Sequence, residues 1–64
     1  MNVVRLSSTE YEAVVGSRTF LVYESLHETG PRWQWWENRT VHCRKTFTTL
    51  DSAVKDLNKY LEGK

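Results

Sequence analysis

Three tryptophans, Trp33, Trp35 and Trp36, fall within four residues of a 64-residue chain, with basic side chains around them at Arg32, Arg39 and Arg44. Indole rings at a surface support two kinds of recognition. Together with arginine they are enriched among the residues that dominate interface energy between proteins. They can also stack on exposed bases, or sit on a β-ribbon that reads the major groove. The ordinary alternative is packing, since a guanidinium over an exposed indole gains about 0.5–1 kcal/mol with no ligand present. Extended backbone puts Trp33 and Trp35 on one face and Trp36 with Gln34 on the other. If only one face is covered, at least one indole is expected to be substantially exposed. The expected partner-binding set is Arg32, Trp33, Trp35, Trp36, Arg39, His42 and Arg44, with the tryptophans as anchors and the arginines as a polar rim.

Residue types that could catalyse are present but badly spaced for it. His42 and Cys43 are neighbours in a predicted strand, so their side chains point to opposite faces and cannot form a thiolate–imidazole pair. His27 precedes Gly30-Pro31 and has no identified partner. There is no glycine-rich phosphate loop, no histidine pair at helical spacing and no carboxylate pair near a plausible pocket. A lone cysteine excludes an internal disulfide and a cysteine-based zinc site. A thin domain is also expected to struggle to enclose the ~300 Å³ at the lower end of ligand pockets. The expectation is a non-enzymatic chain with no cofactor and no metal.

Charge narrows the partner only slightly. The formal net charge is +1, distributed as −2 over residues 1–31, +3 over 32–47 and zero over the remainder. The basic patch therefore coincides with the tryptophans, while the whole is far from the strongly basic footprint of most nucleic-acid binders. No stretch approaches the ~18 apolar residues of a membrane span. The start of the chain lacks a secretory pattern, and a single cysteine suits a reducing compartment, so the expected location is cytoplasmic.

The elements that must position these side chains follow from periodicity. Leu50, Ala53, Val54, Leu57, Tyr60 and Leu61 form one stripe of period 3.6, predicting a helix over about 49–62. Thr48 and Asp51 have capping-box spacing, Asp51 and Lys59 suit the helix dipole, and Gly63 suits a left-handed C-terminal cap. Ser52, Lys55, Asp56, Asn58, Lys59 and Glu62 read as a solvated outer face. Residues 18–25 and 40–47 read as strands, with Arg32–Glu37 a short strand between them. In 40–47, Val41, Cys43 and Phe47 share a face, and Lys45 on that face must lie near an edge or snorkel. Glu28-Thr29-Gly30-Pro31 is expected to break regular structure. Tyr11–Val15 before Gly16-Ser17 reads as one hairpin arm, although Thr9 and Glu12 would also allow a helical turn. Met1–Leu6 adds an edge strand or frays.

The predicted fold is one α+β domain over residues 1–64, with two layers. A three- or four-stranded antiparallel meander carries one C-terminal amphipathic helix on one face. From Phe20 to Leu61, about two-thirds of the chain, this order resembles the small sheet-and-helix DNA-binding domains at the N-termini of tyrosine recombinases. Lys45-Thr46-Phe47-Thr48-Thr49-Leu50-Asp51-Ser52-Ala53 is similar to the last strand and helix start of those domains. The resemblance implies a DNA-binding sheet, although this chain lacks that family's dense basic content. The leading expectation is a small protein-binding module, a regulator or inhibitor of a larger complex, acting through the uncovered sheet face. Nucleic acid is the alternative partner for the same surface. An edge strand could also pair with a second copy to make a homodimer.

Overall fold

Strand-forming sequence runs further than the alternation alone indicates. In a computed structural model describing residues 2–38, 40–43 and 45–63, the elements are β1 (Asn2–Ser7), β2 (Glu10–Val15), β3 (Arg18–His27), β4 (Gly30–Glu37), β5 (Val41–His42) and α1 (Leu50–Glu62). The strands form one five-stranded antiparallel sheet in sequence order. The α+β architecture is as expected, with more strands than the three or four anticipated. Residues 10–15 form a hairpin arm, and Gly16 turns at φ 59°, where glycine meets no Cβ penalty.

Four expectations need correction. Gly30-Pro31 does not interrupt the sheet, because Gly30 pairs with His27 and Pro31 with Leu26 inside β4. The Trp33–Phe47 pair, bonded in both directions, turns the odd-numbered residues of β4 toward the β5 side. Pro31 therefore lacks only an outward donor beyond Phe47, a loss tolerated at an edge. The strand expected over 40–47 shrinks to Val41–His42 plus a single bridge at Phe47. Its ladder is interrupted by the Cys43 thiol, which accepts from the Trp35 N–H at 3.4 Å and donates to the Lys45 carbonyl at 3.0 Å. The detour leaves Lys45 exposed, where an uninterrupted strand would have aimed it at the core. At the helix start the cap is Thr49 rather than Thr48, its hydroxyl accepting from Ser52 N at 3.2 Å, and at the other end Gly63 lies at φ −77°, not left-handed.

The core lies between α1 and one sheet face. Ala13, Phe20 and Val22 from β2 and β3, Trp35 from β4, and Ala53 and Leu57 from α1 are buried. Register explains the set, since Ala13 opposes Phe20 and Val22 opposes Trp35, bringing these side chains to one face. A helix about 10 Å wide shelters roughly two strands spaced about 4.8 Å apart. It lies on β3 and β4. Every residue of β1 is exposed.

Candidate functional site

The opposite face carries the candidate site. Pairing of Leu21 with Trp36, Tyr23 with Gln34, Ser25 with Arg32 and Trp36 with His42 sets these side chains on the face away from α1. Glu10, Glu12 and Val14 join them from β2. Among the described residues, no helix or strand crosses this face.

Its centre is a line of rings. Trp36 lies 5.0 Å from the Tyr23 ring at 47°, and 5.4 Å from the His42 ring, nearly perpendicular to it. Such tilted and edge-on pairs are favoured by the ring quadrupoles. Trp36 is half-buried, so the expectation of a substantially exposed indole is corrected: two flanking rings cover much of it. Burial, with a smaller contribution from Cys43, raises the Tyr23 pKa above the usual phenol value by disfavouring the phenolate. A hollow of about 160 Å³ opens beside Trp36, lined by Glu12, Thr19, Phe20, Leu21 and Asn38. Asn38 turns the chain out of β4 at φ 48°, a left-handed conformation asparagine tolerates better than most residues.

A second polar group lies further along the face. Ser25 Oγ donates to Gln34 Oε1 at 2.8 Å and contacts His27 Nε2 at 2.9 Å. His27 therefore has a partner, contrary to expectation. With the Gln34 amide oxygen facing the hydroxyl, Ser25 accepts from the imidazole in the tautomer that carries its proton on Nε2. Ser25, Gln34 and His27 thus form one bonded network on this face.

The expected site residues divide between the faces. Trp36, His42 and Arg32 belong to the open face, and Arg32 Nη1 donates to the Pro31 carbonyl at 2.9 Å. Trp35 does not belong to it. That indole is 2% exposed, packs near-perpendicular to Phe20 and 5.0 Å from Tyr60, and donates from Nε1 to Asp56 at 3.0 Å. Asp56 accordingly leaves the solvated helix face to which its sequence position assigned it. Trp33 is half-buried on the covered side, 6.0 Å from Tyr11. Arg39 and Arg44 lie outside the described residues. Tyr23, Leu21 and Glu12 were missed, although alternation within 18–25 already set Leu21 and Tyr23 opposite Phe20 and Val22.

On the covered side, Arg18 forms a two-pronged ion pair with Glu37 at 2.7 and 2.8 Å and lies 5.1 Å from the Phe20 ring. The Glu37 hydrogen bond holds the Arg18 guanidinium still more firmly protonated than usual. Nearby, an open cleft of about 610 Å³ runs between β5 and α1. Its lining includes His42, Lys59 and Tyr60 beside Asp56 and Cys43, of which Asp56 is bonded to Trp35 and Cys43 to Trp35 and Lys45.

Among the described residues, no group of three or more histidine, cysteine or carboxylate side chains could hold a metal ion, and no helix is long and apolar enough to cross a membrane. No protein-family model, curated protein or solved structure matches the chain.

Proposed function

We propose that the chain is a protein-binding module, a small regulator or inhibitor, that docks its partner on the open face around Trp36. The observation that carries this reading is the ring line Tyr23–Trp36–His42 with a side-chain-sized hollow beside it. A rigid aromatic surface next to a small recess suits an inserted partner side chain, the usual form of an interface anchor. Glu12 on the wall of that hollow favours a basic or amide-bearing insert over a phosphate.

The same charges weigh against nucleic acid. Glu10 and Glu12 share the face with Arg32, so phosphates approaching Trp36 meet carboxylates on the β2 side. Binding of DNA or RNA would also weaken steeply with salt, by a log–log slope of about −0.9 per phosphate for duplex DNA.

The test is capture of proteins from a nuclease-treated lysate on immobilised wild-type chain, beside Trp36→Ala and Tyr23→Ala variants shown by circular dichroism to be folded. Proteins retained by the wild type and lost with both variants are expected. Retention indifferent to both, or salt-sensitive retardation of labelled DNA or RNA, would overturn the reading.

A further inference from the structure

We infer that the outer edge of β1 is the interface of a homodimer in which two sheets join into one ten-stranded sheet, with Val4 of each copy at the two-fold axis. The inference is independent of what the open face binds.

Backbone bookkeeping identifies which groups are available. Trp33 exchanges both backbone hydrogen bonds with Phe47, so the odd residues of β4 face outward and Gln34 and Trp36 face β3. Alternation then carries across the sheet, because neighbouring residues of a strand direct their N–H and C=O groups to opposite sides. Tyr23 bonds toward β4 and Val22 toward β2. Tyr11 therefore bonds toward β3 and Glu12 toward β1. The Glu24 N–H to Thr9 carbonyl bond, 2.8 Å, agrees with this phase. Glu12 pairs with Val4 and Val14 with Asn2. Val4 and Asn2 thus spend their backbone groups on β2, while Val3 and Arg5 direct theirs away from the sheet.

The side chains on this edge are those a soluble edge usually avoids. Val3, Val4 and Leu6 are 42%, 51% and 54% exposed, beside a single charge at Arg5. Long apolar edges with open backbone groups invite another strand. The opposite edge differs, since the strand there, β5, is only two residues long.

Charge and phase together select a second copy and one register. Antiparallel pairing about a dyad must match outward-facing residues, which leaves Val3 and Arg5. Pairing Arg5 with its own copy would oppose two guanidiniums, which is unfavourable directly across a pair. Pairing Val3 with its own copy would use only one outward residue of the described strand. Setting Val3 against Arg5 of the other copy uses all four outward groups of each strand, separates the charges, and brings the two Val4 side chains together in the close, non-hydrogen-bonded pair. The register shift between Arg5 and Ser7 then ends the pairing. Because the dyad runs perpendicular to the sheet, both helices fall on one side and both open aromatic faces on the other.

So short an interface is below the size of strong complexes, so association is expected in the range of about 10 µM to 1 mM. Sedimentation across that range should show the wild-type mass approaching twice the monomer. Val3→Pro removes an outward donor and spares the bonds to β2; Val4→Lys sets two ammonium groups at the dyad. Each should raise the dissociation constant at least about tenfold with an unchanged circular dichroism spectrum. Leu26→Ser, at a side chain 84% exposed but away from β1, should leave dimerisation as it is. A wild type monomeric at the top of the range would overturn the proposal, as would a dimer indifferent to Val3→Pro and Val4→Lys or one abolished by Leu26→Ser.

Discussion

Trp35 and Trp36 are adjacent in sequence and differ in almost every other respect. Trp35 enters the layer under α1, where Phe20, Tyr60, Leu57 and Asp56 close around it. Trp36 turns to the face that α1 does not cover, with Tyr23 and His42 as its ring neighbours. One residue of strand thus separates an indole that holds the fold together from one available to a partner. The contrast teaches that the density of aromatic residues in a sequence says little about function until each ring has been assigned to a face.

Truncation should expose this difference most strongly. Trp35→Ala is expected to cost about 3–5 kcal/mol, as for large aromatic core side chains generally. A domain of this length has only about 3–10 kcal/mol in total, so the variant should be largely unfolded, read as a collapse of the urea midpoint. Trp35→Phe should lose less. Trp36→Ala should cost about 1–2 kcal/mol, from lost ring contacts and partial burial, and remain folded. Equal losses at the two positions would erase the distinction between the faces.

A smaller effect probes what keeps Trp35 in place. Asp56→Ala leaves the buried indole N–H without its acceptor and should cost about 1–3 kcal/mol, whereas Asp56→Asn keeps an acceptor and should recover most of it. Denaturant midpoints of the two variants make the comparison. Smaller again is the helix cap, where Thr49→Ala should lose about 1 kcal/mol and Thr48→Ala much less, because Thr49 is the residue bonded to Ser52.

On the open face the finest probe is alkaline pH. The folded-state pKa of Tyr23 is raised, chiefly by burial, so the folded protein holds the phenol proton more tightly than the unfolded chain. Stability from this group is complete below the unfolded value of about 10 and is lost as pH rises through the higher folded value. Tyr23→Phe should remove that part of the alkaline loss, measured as the difference between wild-type and variant denaturation curves from neutral pH upward. A variant with the same alkaline decline would place the tyrosine in an ordinary solvated setting.

Much of the architecture was legible because it rests on local periodicity. The helix stripe from Leu50 to Leu61, the alternation of Phe20 and Val22, and the splitting of Trp33 and Trp35 from Trp36 all follow from residue spacing. Failures occurred where a non-local partner decided the outcome. Asp56 looks like one more polar residue on an outer helix face until Trp35, twenty-one positions away, supplies a donor. Cys43 looks like a small apolar strand residue until its thiol takes the place of a ladder carbonyl and ends β5. Pro31 looks like a breaker until its missing N–H is seen to face the outer side of β4.

By itself, then, the order of residues determined the strands around Phe20–Val22 and Trp33–Trp36, where the helix lies, and which of those side chains share a face, since these depend on backbone geometry repeating every 2 or 3.6 residues. Only the tertiary structure decided which face the helix takes, which tryptophan becomes core, and that β1 remains with an open edge. Those outcomes depend on strand register and on one helix being too narrow to cover five strands, and neither quantity is carried by any local stretch of sequence.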